Sequence, residues 1–272
     1  MRPTLALLAA DAVGGDLNRA TPIAVALEYV HNFSLIHDDL EDMDRVRHHR
    51  PTVWAVWGES AAIVSGNAML KIADAAAWKL RAAGVDDAVA LEAEAVLTSH
   101  YLKMMEGQYL DISFESEESV SVEQYLDMIE RKTGALIEAS IYLGSLVASY
   151  SGPDRDKAMA LKAVGYDLGR IFQIRDDVLG VWGGVETGKP VGADIKRKKK
   201  ALPAVHALSA STGATGERLK QIFRTEGELE QKDVHIVLEE MENLGTQDYC
   251  QSMAEDRWLD CQRMIESLEL SG

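Results

Sequence analysis

Positive charge is scarce in this chain of 272 residues, where 28 Lys and Arg stand against 44 Asp and Glu, a formal net charge of -16. That deficit argues against a protein that holds nucleic acid by neutralising phosphates. It equally argues against a polybasic membrane-surface protein. Cysteine is scarcer still. Cys250 and Cys261 alone make neither a disulfide framework nor a zinc site, so a reducing cytoplasm is the expected setting. Aromatic residues are only 6% of the chain, and β-branched residues rarely alternate with polar ones, so strands have little to be built from. No run reaches the roughly 20 uninterrupted apolar residues of a membrane span. The opening Met1-Arg2-Pro3-Thr4-Leu5 has no signal-peptide pattern. Repeats, low-complexity tracts and linkers are absent too. Apolar residues, by contrast, make up 47% of the chain, enough for a sizeable core. Carboxylates are abundant as well, and they are the natural ligands of magnesium.

The chain reads as helix after helix. Thr21-Pro22 suggests an N-cap followed by proline at the first helical position. Ile23, Leu27, Val30 and Ser34 then share a face, and the helix is expected to run to about Asp44. A second spans about Glu59 to Ala83, with Gly84 as its stop. A third runs from near Asp86 to about Phe114. Ser121-Val122-Glu123-Gln124 is a capping box opening a helix to about Ser149, broken at Ser151-Gly152-Pro153. The next runs from Asp154 to about Val181 and ends at Gly183-Gly184. An irregular stretch to about Lys200 and several shorter helices after Leu202 complete the chain. Most of these helices exceed the average of about 11 residues. Their long apolar faces predict an all-α, single-domain bundle of long antiparallel helices around a deep central cavity.

Two aspartate clusters carry the chemistry. In His37-Asp38-Asp39-Leu40-Glu41-Asp42, Asp38 and Asp42 share one helical face, where like charges repel. A solvated acidic helix end would explain one such cluster, but the helix before it is apolar on most faces. Asp176-Asp177 repeats the pattern late in another long helix. Facing each other across a bundle, the two clusters would make a magnesium site open to a phosphorylated ligand. Cations follow each: Arg45, Arg47 and Arg50 after the first, Lys189 and the run Lys196 to Lys200 after the second. Metals bridging the oxygens of a diphosphate, with Arg and Lys clamping the rest, suit that mixture.

These motifs, in order along nearly the whole chain, resemble the trans-isoprenyl diphosphate synthases, or polyprenyl synthetases. Asp38-Asp39-Leu40-Glu41-Asp42 is similar to the family's first aspartate-rich motif, and Arg47, Pro51 and Thr52 to the segment after it. Gly107-Gln108 with Asp111, and Lys132-Thr133, are similar to mid-chain signatures. Phe172-Gln173 followed by Asp176-Asp177 resembles the second aspartate-rich motif, and Gly188-Lys189-Pro190 through Asp194, with Lys199 and Leu202-Pro203, the loop beyond it. The wording around Arg50-Pro51-Thr52 and Asp177-Val178-Leu179 is similar to bacterial geranylgeranyl-type members.

The resemblance implies the isoprenoid synthase fold, a homodimer, and magnesium held by Asp38, Asp42 and Asp176 on the diphosphate of an allylic substrate. Arg47, Lys132, Lys189 and Lys199 would add positive charge. Thr133 and Gln173 would turn their oxygens to the allylic cation, which isopentenyl diphosphate attacks. The product would be geranylgeranyl or farnesyl diphosphate. Phe33, five positions before Asp38, would floor the chain pocket and limit product length. Three departures stand out. The family's Gly-Lys-Arg motif would precede Arg2-Pro3, so the domain, residues 1–272, reads as lacking the family's N-terminal part. His48 replaces an arginine that contacts isopentenyl diphosphate, leaving His31 as the matched contact, and Gly180 replaces the last aspartate of the second motif. A terpene cyclase-like enzyme that needs no second substrate, and a non-catalytic modulating subunit, therefore remain alternatives.

Overall fold

The structure, a computed structural model, describes residues 1–117, 119–149, 152–184, 191–268 and 270. Among them regular structure is almost wholly helical, and the one sheet is a hairpin of two-residue strands. The all-α expectation holds. The described residues group into two compact units.

The first unit comprises residues 1–102 and 136–165 with the stretch from Met264. It opens with α1 (Arg2–Ala12) and α2 (Leu17–Glu41), followed by β1 (Val46–Arg47), β2 (Arg50–Pro51) and α3 (Val53–Trp57). Then come α4 (Glu59–Ala77) and the first half of α5 (Asp87–Ser116). α2 packs along α4 and α1, and its Ile23, Ala26, Leu27 and Val30 are fully buried. Its N-cap is Asp16, whose carboxylate accepts from the Asn18 N–H at 2.9 Å. The helix therefore starts upstream of Thr21-Pro22, and Pro22 lies inside it. An aspartate cap outcompetes the Thr-Pro signal, and the proline removes one backbone bond near the helix start. The helix also ends earlier than expected, at Glu41, because Met43 adopts φ 56° and turns the chain away. The helix expected to Ala83 likewise ends at Ala77, giving way to a 3-10 turn at Trp78–Leu80 before Gly84.

The second unit comprises residues 103–135 and 166–263. The Ser121 capping box forms as expected and opens α6 (Val122–Ile129). The chain then makes a π-helical turn (Glu130–Gly134) before α7 (Ala135–Ala148), which from Leu136 belongs to the first unit, as does α8 (Gly152–Trp182) as far as Gly165. The rest of α8 is in the second unit, followed by α9 (Ala193–Lys196), α10 (Leu202–Ala210), α11 (Gly213–Arg224), α12 (Gln231–Asn243) and α13 (Thr246–Ser267). The last has 22 residues, so not every helix after Leu202 is short. The core of this unit gathers Phe114, Tyr125, Ile129, Ile174, Val178 and Leu202. Both cysteines are free and buried here, and burial pushes the thiols up, Cys250 to about 12 and Cys261 to about 11. No described helix is long and apolar enough to cross a membrane.

Candidate active site

The candidate residues fall into two groups, one in each unit. In the first, the last turn of α2 presents Asp38, half-buried, and Asp39, buried. Arg47 spans both: its Nη2 donates to Asp38 at 2.7 Å and its Nε to Asp39 at 2.5 Å. The hairpin makes this possible. Arg47 pairs with Arg50 in the antiparallel register, leaving His48 and His49 as a two-residue turn with φ 48° and 62°. Positive φ at both positions is what a type I′ turn requires. Beside it, the Asp44 carbonyl accepts from Thr52 Oγ1 at 2.8 Å and Trp54 Nε1 at 2.7 Å. The Arg45 guanidinium lies 5.1 Å from the Trp54 ring. The segment so fixed folds Arg47 back over the aspartates. Carboxylate repulsion at this helix end, which the spacing assigned to a divalent cation, is thus partly relieved by a side chain of the protein itself. Burial raises the Asp39 pKa against the pull of Arg47, while Asp39 and Asp38 outweigh desolvation and hold Arg47 above its ordinary value. Asp42 is the helix C-cap and exposed, and His48 is exposed at the hairpin tip.

His31 lies about two turns before Asp38. Its Nε2 is 3.0 Å from Nη1 of Arg2. Burial, Arg2, the Met1 amino group and Arg47 lower the His31 pKa to about 3, against a small opposing pull from Asp38. The ring is therefore neutral and accepts from Arg2. Arg2 is itself brought down to about 10 by burial, Glu28 opposing, and its buried Nε has no hydrogen-bond partner among the described residues. Sequence reasoning did not single out Arg2, although Arg2-Pro3 had been matched to a family segment. Phe33 is buried and meets the His37 ring edge-on, centroids 4.9 Å apart.

In the second unit, Lys132 and Thr133 sit on the π turn, a feature frequent at functional sites. Two glycines let other helices reach this turn. A Cβ on Gly107 of α5 would collide with the Lys132 backbone, and one on Gly169 of α8 with Gly134. Lys132 Nζ pairs with Asp111 at 2.5 Å. Thr133 Oγ1 donates to Gln173 Oε1 at 2.8 Å, and Gln173 Nε2 donates to Asp177 at 3.0 Å. Asp177 is fully buried, whereas Asp176 beside it is partly exposed. Burial raises the Asp177 pKa, with Lys199 and the hydrogen-bond donors opposing. Desolvation works against the Lys199 ammonium, but Asp177, Asp194, Asp176 and Asp111 outweigh it and raise its pKa. Lys199 Nζ lies 3.8 Å from Asp194 Oδ2. A side chain at Gly180 would meet that same carboxylate, which would have to move aside. Lys189 lies outside the described residues.

Among the described residues, no group of three or more His, Cys, Asp or Glu is gathered closely enough to hold a metal ion. The donors nevertheless fit magnesium, which binds through one or two carboxylates together with substrate phosphate oxygens rather than in an all-protein cage. Hard carboxylates with Arg47 beside them are such a set.

The family model for polyprenyl synthetase matches residues 1–241. The chain belongs to the polyprenyl synthetase family. It is 43% identical over 220 residues to a (2E,6E)-farnesyl diphosphate synthase of Mycobacterium tuberculosis, a match covering 80% of this chain and 59% of that protein. A geranylgeranyl diphosphate synthase of the same species is 39% identical over 258 residues, covering 94% of this chain and 71% of that one. Among solved structures, a geranylgeranyl pyrophosphate synthetase from Pyrococcus horikoshii superposes with TM-score 0.90 at 33% identity, covering 98% of this chain and 80% of that one. This polyprenyl synthetase thus spans a little under three-fifths of the length of the farnesyl diphosphate synthase it matches.

Proposed function

We propose that the protein is a short-chain trans-prenyltransferase that condenses an allylic diphosphate with isopentenyl diphosphate, giving farnesyl or geranylgeranyl diphosphate. The observation that carries this reading is the half-buried Arg2 beside a neutral His31, in the same unit as Asp38 and Arg47. A second cationic group, separate from the aspartates, is what a second diphosphate needs and what a one-substrate cyclase does not. Asp38, Asp42 and Asp176 are the proposed magnesium ligands. When bound, magnesium supplies Lewis-acid stabilisation of the leaving pyrophosphate.

The rest of the chemistry belongs to the side chains. Arg47, Lys132 and Lys199 neutralise the allylic diphosphate, and Lys199 stays an ammonium because the aspartates around it raise its pKa. As the allylic C–O bond breaks, the oxygens of Thr133 and Gln173 stabilise the positive charge developing on carbon. The isopentenyl double bond then forms the new C–C bond, and the proton lost from the adduct goes to pyrophosphate. Arg2, His31 and His48 hold the isopentenyl diphosphate, Lys189 assists the allylic one, and Phe33 limits chain length. Residues 1–272 read as one domain, because the division between the units falls inside α5, α7, α8 and α13 rather than in a linker. A cytoplasmic homodimer completes the reading. Leu91, Leu102 and Tyr109, each at least half exposed and spaced to share one face of α5, support a self-association surface.

The test is incubation with magnesium and an allylic diphosphate, with and without isopentenyl diphosphate. Longer prenyl diphosphates formed only with both substrates are expected. A hydrocarbon released from the allylic substrate alone would instead indicate a cyclase, and no product a modulating subunit.

A further inference from the structure

Asp177 immediately follows a proposed metal ligand, yet its surroundings give it a different task. Its buried carboxylate accepts from three donors on three elements: the Tyr125 hydroxyl of α6 at 2.5 Å, Gln173 Nε2 of α8 at 3.0 Å, and the Leu202 N–H of α10 at 3.2 Å. Both of its oxygens are taken up as acceptors, Oδ2 by Tyr125 and Leu202 and Oδ1 by Gln173. Gln173 therefore meets it through the amide nitrogen, which sends the amide oxygen to the other side. There Thr133 donates its single proton to that oxygen at 2.8 Å. With the proton committed, Thr133 Oγ1 can act toward any other group only as an acceptor. The orientation of both groups is set from outside the pair.

We propose that Tyr125 and Asp177 are positioning residues, which lock the Gln173 amide and, through it, the Thr133 hydroxyl so that both offer oxygen lone pairs to the allylic cation. This rests on the prenyl-transfer reading, in which Thr133 and Gln173 face that cation. Tyr125 is the fixed end of the relay: it is 2% exposed, packed among Met128, Ile174 and Leu202, and its phenol pKa is raised by burial and by Asp177, so it remains a donor. Without the lock the amide can rotate by half a turn and present N–H to the developing positive charge, which opposes ionisation.

Tyr125→Phe keeps the ring and removes the one donor. It should lower kcat about tenfold, the order of one lost hydrogen bond, with KM for both substrates within about twofold. Thr133→Val should also lower kcat, and in that background Tyr125→Phe should add less than about twofold, because the two act through one relay. Asp177→Asn is the second probe. Its amide nitrogen faces Gln173 while its oxygen still accepts from Tyr125, so the Gln173 amide inverts, and kcat should fall further than in Tyr125→Phe. A lower Tm with unchanged kcat in Tyr125→Phe, or additive losses in the double mutant, would overturn the positioning role. Full activity in Thr133→Val would overturn both that role and the assignment of Thr133 to the cation, whereas a slow Thr133→Val beside a fast Tyr125→Phe overturns the relay alone.

Discussion

Asp38 and Asp39 are neighbours with different surroundings. Asp39 is 5% exposed and held by Arg47 Nε, while Asp38 is half-buried and meets Nη2 of the same guanidinium. Removing Asp38 leaves the buried Asp39–Arg47 pair intact and takes one like charge off the helix end. Asp38→Ala should therefore keep the helical circular-dichroism signal and a near-native Tm, yet lose at least about a thousandfold in kcat as a metal-supported leaving group is lost. A variant that still turns over, in EDTA as well, would sink the metal assignment. His31 gives a pH prediction. Its folded pKa is about 3 against an ordinary 6.5, so below pH 6.5 the unfolded chain binds a proton that the fold refuses. Stability falls where the unfolded state binds more protons. This group therefore costs nothing above pH 6.5 and progressively destabilises the fold from there toward pH 3. In His31→Gln a neutral amide oxygen can still accept from Arg2, so Tm should fall less steeply between pH 6.5 and 4.5 than in the wild type. Equal slopes would show that other groups govern the acid limb.

At the scale of elements, the π turn depends on backbone approach at Gly107. The missing Cβ there lets α5 reach the Lys132 main chain. Gly107→Ala must push the two apart, moving Lys132 and Thr133 together, and a displacement of about 1 Å can cost about a hundredfold in rate. The expected result is a kcat loss of that order with helix content unchanged. Wild-type kcat would mean that the turn yields without moving the site. The long helices and the Ser121 cap were legible because apolar periodicity and capping chemistry are local. Other features were not. The π turn keeps nearly the same apolar spacing as an α-helix. The hairpin strands have two residues each, too few for alternation, and His48-His49 carries none of the Asn-Gly signal of a tight turn. At the candidate site, Asp38, Asp42, Arg47, Lys132 and Gln173 were legible as motif residues. Their partnerships were not: Arg2 meets His31 across 29 residues, and Tyr125 meets Asp177 across 52. Such pairs exist only once helices pack, and no local pattern announces them.

At the scale of the whole molecule, a net charge of -16 makes the folded state repel itself, and any bound cation relieves part of that. Two kinds of relief must be told apart. Salt screens all the surface carboxylates alike, so its effect should follow ionic strength and be indifferent to which monovalent cation supplies it. A specific magnesium–diphosphate site stabilises only through binding to the native state, by an amount that grows with ligand concentration. At about a hundred times the dissociation constant that linkage is worth about 2.7 kcal/mol. For a chain of this size it corresponds to a Tm rise of roughly 5–10 °C. The measurement is thermal unfolding in EDTA, in magnesium alone, and in magnesium with inorganic pyrophosphate, with sodium chloride matching the ionic strength throughout. Magnesium with pyrophosphate should raise Tm well beyond the salt control, and magnesium alone by much less, because the phosphate oxygens complete the coordination that one or two carboxylates begin. Asp38→Ala should keep the salt response, which belongs to the whole surface, and lose the pyrophosphate-dependent increment, which belongs to the site. If that increment is absent from the wild type, or survives undiminished in Asp38→Ala, the aspartates at the end of α2 are not where the metal and diphosphate bind.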